Sequence, residues 1–224
     1  SSVTTSIESI GSNLITISPG AQSGPGGAGT IVSGGRGSAK TLTRDDADVL
    51  GDLSGVKAVA PQVTTRQQVT VPGANTNTQI SGVTADYVLV RNLEIAEGIF
   101  ITEQNVRSSS KVAVLGPTTR DDLFGVGASV LGQTVRIGGT TFKVIGVTLS
   151  KGGSGFGNQD DAIYIPLTTA QRFFTGDEYL SSISVAADSP DAMTQVQADI
   201  TDRLRALHGL TEGEESDFST LNQA

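Results

Sequence analysis

The stretch that decides the fold is 111-KVAVLGPTTRDDLFGVGASVLGQTVRIGGTTFKVIGV-147. It contains a short apolar run, a helical turn that starts at Pro117 and ends at Gly125, and a tight hairpin around Gly138 and Gly139. A Gly-Gly pair between two runs of alternating apolar and polar residues favours a two-residue turn with positive φ. We therefore predict a compact core here rather than a linker.

Composition narrows the class of protein. With 224 residues, of which 37% are apolar, the chain can bury a core as one domain or as two closely associated ones. The 28 glycines and 4% aromatic residues favour many turns and short strands over a helical bundle. A net charge of -8 without a basic stripe argues against a nucleic-acid partner. The absence of cysteine excludes disulfides, thiolate metal sites and a cysteine nucleophile.

The start of the chain suggests a context. No apolar run reaches the roughly 20 residues that span a bilayer, and no charged-then-apolar leader is present. Val3, Ile7 and Ile10 have helical spacing up to Gly11, so a helix is already in progress at Ser1. These features are compatible with a mature secreted protein or with a segment of a longer one.

Periodicity, caps and turn residues predict the remaining elements. Strands are predicted at Asn13–Ile17, at 56–71 with a break at Pro61, at Gln79–Val83, Ala162–Ile165, Ile183–Val185 and Asp217–Leu221. Helices are predicted after the caps Thr43, Thr168 and Ser189, with a helical turn at 85–92. The helix after Ser189 should end at Gly209 and bury Met193, Val196, Ile200, Leu204 and Leu207. Residues 21–39 and 150–157 are Gly-rich and predict loops.

Two Gly-rich motifs resemble nucleotide-binding patterns. Gly24–Gly29 matches the dinucleotide fingerprint, but more glycines follow it instead of the helix N-terminus that would hold a pyrophosphate. The segment 34–41 is one residue from a P-loop, with Ala39 in place of the second glycine. The next helix starts at Thr43 and not at Lys40, so both motifs are interpreted as loops.

The remaining candidates for chemistry also have structural explanations. His208, the only histidine, lies in the last turn of a helix, where a cation interacts well with exposed carbonyls. Ser154 is not in a nucleophile elbow, because Phe156 stands where glycine is needed. Three carboxylate pairs could bind a cation but are more often solvated or capping: Asp45 with Asp46, Asp121 with Asp122, and Asp160 with Asp161 near Asn158. We therefore predict no catalytic, cofactor-binding or metal-ligating residue.

The order of the fragments resembles a known family, the extracytoplasmic core domain of MacB-type ABC transporter permeases, with LolC, LolE and FtsX as relatives. The matching fragments are 11–20, 42–47, 56–61, 82–87, Val90-Arg91, 98–100, 112–116, 123–125, Gly132-Gln133, 142–147, 165–170, 204–208, Asp217-Phe218 and Asn222. Each fragment is weak alone, whereas the ordered combination is strong.

The resemblance implies an α+β fold in two parts. A porter-like βαβ or ferredoxin-like unit would be built from both chain ends, residues 1–72 and 178–224. A β-rich subdomain of the type called the sabre, residues 73–177, would be inserted between them. Strand, capped helix and strand are indeed predicted from the residues at both ends, before Pro72 and after Tyr179.

The resemblance also implies a function. Such a domain lies on the extracytoplasmic side of the cell membrane, between two membrane helices of a permease, and passes ATP-driven helix movement outward for export or partner activation. It is itself non-catalytic and cofactor-free. Its partners would be a cytoplasmic ABC ATPase, a second permease copy, and an adaptor or other extracytoplasmic protein. The alternative is a binding or sensing module for a lipoprotein, peptide or cell-wall enzyme, without transport.

Overall fold

The computed structural model describes residues 13–20, 39–151 and 159–223. The strands are β1 (Leu14–Pro19), β2 (Val56–Val71), β3 (Ala74–Val83), β4 (Ile95–Gly98), β5 (Val112–Leu115), β6 (Thr134–Ile137), β7 (Thr140–Thr148), β8 (Ala162–Pro166), β9 (Ser182–Ala187) and β10 (Phe218–Gln223). The α-helices are α1 (Arg44–Leu50), α2 (Tyr87–Arg91), α3 (Glu103–Arg107), α4 (Pro117–Phe124), α5 (Leu167–Ala170) and α6 (Met193–Leu207). A π-helical segment, Gln171–Thr175, continues α5, and a 3₁₀ turn, Pro190–Ala192, follows the predicted cap Ser189 and leads into α6. This mixture confirms the α+β class. The predicted helix before Gly11 and most of both Gly-rich loops lie outside the described residues.

The chain divides into two compact units. Unit 1 contains Ser1–Pro61, Val90–Asn92 and Glu178–Ala224, and unit 2 contains Gln62–Leu89 and Leu93–Asp177. The first boundary therefore falls inside β2, whereas the sequence suggested residue 72. The assignment of porter-like and sabre-like subdomains to segments 1–72, 73–177 and 178–224 stays a prediction.

Unit 1 is a small sheet covered by helices. Its strands follow the order β10, β1, β9 and the first part of β2, and β1 is antiparallel to both β10 and β9. Ile15 and Ile17 of β1 face the same side of the sheet because side chains alternate along a strand, and both are fully buried. Helix α6 packs against β1, β10 and α1 and buries Ile200 and Leu204.

Unit 2 is built on a mixed sheet. The order is the second part of β2, then β3, β8, β5, β7 and β4, with β6 paired to both β2 and β7. The pairs β3–β8 and β5–β7 are parallel, and the others in this unit are antiparallel. Three buried aromatic rings, those of Tyr87, Phe100 and Tyr164, lie together with centroids 5.3 to 6.3 Å apart. Such ring pairs contribute stabilising free energy in addition to that from the apolar area they bury.

The predicted hairpin is confirmed. Strands β6 and β7 pair in register from Thr134 opposite Lys143 to Ile137 opposite Thr140. Gly138 and Gly139 form the two-residue turn with φ of 52° and 91°. Positive φ at both central positions matches the twist of the flanking strands, which explains the need for glycine.

The strand-to-helix connection before the hairpin is also confirmed. Strand β5 is almost entirely buried, Gly116 follows it, and Pro117 opens α4. Proline suits the first helical position because its fixed φ is helical and no N–H is needed there. Gly125 ends the helix with a φ of 102°.

Three local predictions were wrong. Strand β2 continues through Pro61 instead of breaking there. Helix α5 begins at Leu167 after Pro166, so Thr168 is not its cap; the Thr168 hydroxyl instead donates to the Val106 carbonyl. Leu207 is 48% exposed, although the other predicted core residues of α6 are buried.

The longest described helix is α6, with 15 residues. Among the helices of residues 13–20, 39–151 and 159–223, none has the length and hydropathy of a bilayer-spanning segment.

Candidate functional site

The two ends of the described chain meet in unit 1. Strand β1 is the first described element and β10 the last, and they are neighbours. Leu14, at the start of β1, lies opposite Gln223, at the end of β10. The chain therefore enters and leaves this sheet at adjacent positions, which the sequence could not show because the two residues are far apart along it.

A connected cluster of ionisable side chains also lies in unit 1. His208 Nε2 is 2.9 Å from Asp46 Oδ1, and His208 Nδ1 is 2.7 Å from Asp217 Oδ1. The Phe218 ring meets the imidazole edge-on, with centroids 6.0 Å apart. Side-chain exposure is 11% for His208, 3% for Asp46 and 34% for Asp217. One imidazole thus bridges two carboxylates in a largely buried setting.

Each member of this cluster is positioned by its own element. Asp46 lies in the first turn of α1, where its other oxygen, Oδ2, accepts the Thr43 N–H at 3.0 Å. His208 directly follows α6, with its N–H bonded to the Leu204 carbonyl. Asp217 precedes β10, and its carbonyl accepts from Gly20 N–H and Thr41 Oγ1.

The geometry dictates the protonation state of His208. An ionised carboxylate only accepts hydrogen bonds, and a neutral imidazole has a single N–H. Both contacts are satisfied together only by the imidazolium. Burial opposes this charge, but the hydrogen bonds and charges of Asp217 and Asp46 outweigh it and raise the pKa of His208 above its usual 6.5.

This arrangement leaves His208 without a lone pair for chemistry. Both ring nitrogens donate to carboxylates, so the ring cannot act as a general base or a metal ligand in this state. The interaction with helix-end carbonyls predicted for His208 is replaced by two carboxylates. No sequence signal would have found Asp46, which is 162 residues away.

The other carboxylate pairs have ordinary partners. Asp160 accepts from Ser150 Oγ and Lys151 N–H, and Asp161 accepts from the Thr78 and Thr119 hydroxyls. Asp121 accepts from Arg120 and from Gly127 N–H, and these bonds lower its pKa. Within the described residues, no group of three or more His, Cys, Asp or Glu side chains is placed to hold a metal ion. Asn158 lies outside those residues.

The nucleotide-like motifs lie mostly outside the described residues as well. Gly24–Gly29, Ser154 and positions 34–38 are all beyond what the structure describes. Of the P-loop-like segment, Thr41 is described, and its hydroxyl donates to the Asp217 carbonyl at 2.7 Å. In a P-loop the helix begins at the lysine, whereas helix α1 begins at Arg44, four residues after Lys40.

Unit 2 presents apolar residues to solvent that the sequence did not single out. Val126 is 90% exposed, and the others are Leu89, Ile99, Leu131, Leu149 and Phe173. Two cationic side chains lie over the Phe173 ring, with Lys111 Nζ 4.9 Å and Arg172 Cζ 5.6 Å from the ring centroid. These contacts are cation–π interactions within the unit.

Comparison with known proteins decides the family. Residues 1–203 match the family model described as the MacB-like periplasmic core domain. The chain belongs to this family. The resemblance inferred from the ordered fragments is therefore confirmed.

Relatives of this MacB-like core domain are much longer proteins. It is 37% identical over 218 residues to the macrolide export ATP-binding/permease protein MacB of Hyphomonas neptunium, covering 97% of this chain and 32% of that protein. It is 33% identical over 219 residues to the protein of the same name from Marinobacter nauticus, with 97% and 32% covered. The chain thus spans about a third of the length of these relatives.

Solved structures agree with the fold of this MacB-like core domain. The periplasmic region of MacB from Actinobacillus actinomycetemcomitans matches with a TM-score of 0.77 and 25% identity, covering 100% of this chain and 94% of that one. The extracellular domain of the noncanonic ABC-type transporter YknZ from Gram-positive bacteria matches with a TM-score of 0.72 and 22% identity, covering 94% and 100%. The second likeness bears on the fold alone.

Proposed function

We propose that this domain passes ATP-driven movement of membrane helices to the outer face of the membrane, for export or for activation of a partner. In this proposal it is the extracytoplasmic part of an ABC transporter permease and is not itself an enzyme. ATP is hydrolysed in a separate cytoplasmic ATPase domain or subunit. Family membership and the name "ATP-binding/permease" carried by longer relatives support this reading.

The observation that carries the proposal is the pairing of β1 with β10. A membrane helix before β1 and another after β10 would join the sheet at Leu14 and Gln223, which lie opposite each other. Six register pairs join the two strands, from Leu14 with Gln223 to Pro19 with Phe218. A movement of the two helices would therefore be applied to a single hydrogen-bonded sheet and move unit 1 as a body.

The working assembly in this proposal contains two permease copies and the cytoplasmic ATPase, with an adaptor or another extracytoplasmic protein as the outer partner. The domain needs no cofactor of its own. The rival class is a binding or sensing module, whose conformation would follow a ligand and not ATP.

Inter-copy distances test the proposal. This chain has no cysteine, so Val126→Cys, an exposed position of unit 2, gives it one site for a spin label; any cysteine elsewhere in the full-length protein is first replaced by serine. In the full-length protein in lipid, we expect the label-to-label distance distribution to differ between the nucleotide-free and ATP-bound states. A variant unable to bind ATP is the control and should show no difference. Identical distributions in both states of the labelled Val126→Cys protein with an intact ATP site would refute the proposal.

A disulfide across β1 and β10 tests the single-body step. Thr16 and Leu221 are directly opposite and are half-buried and exposed, respectively. Directly opposite Cβ atoms lie about 4.5–5.5 Å apart, close to disulfide distance. We expect Thr16→Cys/Leu221→Cys to crosslink and to leave the nucleotide response intact. Loss of the response on oxidation, with recovery on reduction, would mean that the two strands must separate.

A further inference from the structure

The imidazole of His208 joins the end of α6 and the start of β10 to α1, whose Asp46 is 162 residues away along the chain. Asp46 belongs to α1, His208 follows α6, and Asp217 leads into β10. The loop between His208 and Asp217 is held by the same helix end, because Arg205 donates to Ser216 Oγ and to the Thr211 and Glu214 carbonyls. The loop from α6 to β10 is therefore held by contacts of the Arg205 guanidinium and the His208 imidazole.

The two carboxylates are not equivalent. Asp46 is 3% exposed, whereas Asp217 is 34% exposed. A carboxylate that loses its hydrogen bond can be hydrated only where water reaches it, so losing the Asp46 contact is the more costly. When the ring gives up one proton, the N–H that remains should therefore be the Nε2–H toward Asp46.

We infer that His208 is a proton-dependent latch on the last strand of unit 1. In the imidazolium form it ties the start of β10 to α1 through Asp217 and Asp46. In the neutral form the Asp46 contact persists and the Asp217 contact is lost, so that, among the described residues, the β10 end of the 209–217 loop is held only by Arg205 and by the bonds to the Asp217 carbonyl and is less protected. The inference concerns unit 1 alone and holds whether or not the domain transmits motion.

The charged groups around the ring set the pH range. Among the described residues, the charged partners of the His208 ring are Asp46 on α1 and Asp217 before β10, whereas the Arg205 guanidinium on α6 bonds to the loop. The folded pKa is raised above 6.5. The contribution of the latch to stability is therefore complete below the unfolded pKa of about 6.5 and is lost as the pH rises through the folded pKa.

The test is a nitrogen NMR titration of His208 with amide hydrogen exchange of residues 209–219, on this chain. We expect a pKa above that of an unfolded control peptide, both nitrogens protonated at low pH, and the Nε2–H tautomer at high pH. Exchange in 209–219, corrected for intrinsic rates, should rise several-fold above the His208 pKa. An Nδ1–H tautomer, or a pKa at or below the peptide value, would overturn the inference.

Substitutions separate the latch from a merely structural role. Asp217→Asn replaces the carboxylate by a neutral amide of the same shape. The pKa of His208 should therefore fall, and the pH dependence of exchange in 209–219 should shrink. Asp202→Asn, an exposed carboxylate on α6, is the matched control and should leave both unchanged. An equal response of the two variants would also refute the latch. Asp217→Asn keeps Asp46 paired, so it avoids the misfolding that loss of His208 could cause.

Discussion

Replacing Gly116 by alanine tests how tightly unit 2 is packed where β5 passes into α4. Gly116 has a φ of -69° and a ψ of 155°, which alanine adopts without strain. However, a Cβ at this position would lie 2.2 Å from the Asp160 carbonyl oxygen and 2.9 Å from the Gln159 carbonyl oxygen. Both are backbone atoms, so rotation of a side chain cannot relieve the contact.

The expected loss of unfolding free energy depends on how far the backbone at Gly116 and Asp160 must separate. Relief requires a separation of about 1 Å to restore an ordinary carbon–oxygen contact. Asp160 resists it, since its carbonyl accepts from Thr118 N–H at 2.9 Å, and Gly116 N–H donates to the Ala162 carbonyl at 2.8 Å. Weakening both bonds costs about 1 kcal/mol each, and the lower entropy of the unfolded chain returns about 0.5 kcal/mol. With residual overpacking, the expected loss of unfolding free energy is about 2 kcal/mol.

Tyrosine fluorescence during urea unfolding measures this loss. The chain has no tryptophan and three tyrosines, of which Tyr87 and Tyr164 are buried in unit 2. The signal therefore reports mainly on unit 2, which contains Gly116, and far-UV circular dichroism recorded in the same titration reports on unit 1 as well. With an m-value of about 2 kcal/mol per molar urea, the midpoint should fall by about 1 M.

Gly213→Ala is the matched control, because a Cβ there meets no atom within 4 Å. Its midpoint should stay within about 0.2 M of the wild-type value. If Gly116→Ala unfolds at the same urea concentration as Gly213→Ala, the junction is looser than its backbone contacts indicate and the reasoning fails.

Three further predictions are also tested by unfolding, the first two in urea and the third by heat at several pH values. Gly139→Ala should cost about 1 kcal/mol from its positive φ alone, since a Cβ there touches nothing within 4 Å; an unchanged midpoint would mean that the turn relaxes. Leu204→Ala should lower the unfolding free energy by about 3 kcal/mol because the side chain is fully buried, whereas Leu207→Ala should change it by less than about 0.5 kcal/mol; equal effects would contradict the orientation of α6. Burial, and then the nearby Glu103, raise the pKa of Asp86, so Asp86→Asn should raise thermal stability slightly near neutral pH. This gain should disappear once the pH is low enough to protonate the aspartate in both states, and a gain that persists there would be non-electrostatic.

The sequence predicted the elements whose signals are local. The Gly138-Gly139 turn, the start of α4 at Pro117 and its end at Gly125 depend on backbone dihedrals, which neighbouring residues set. The errors arose where distant contacts override such signals. Pro61 remains within a strand because the flanking residues are paired, and the Thr168 hydroxyl serves the Val106 carbonyl instead of a helix cap.

The ordered fragments also identified the family, because many weak local matches in one order are jointly specific. They did not give the strand order, the division inside β2 or the partners of His208.

What the sequence by itself determined is therefore the set of elements, the α+β class and the family. Only the tertiary structure decided that Leu14 meets Gln223 and that His208 bridges Asp46 and Asp217. The physical reason is the separation along the chain of the residues that interact. Turns, caps and strand alternation are fixed by interactions over a few residues, whereas these contacts depend on sheet order, which arises from packing of the whole core. The protonation state of His208 depends on that packing as well, because an isolated histidine at a helix end would have only carbonyls and water as partners.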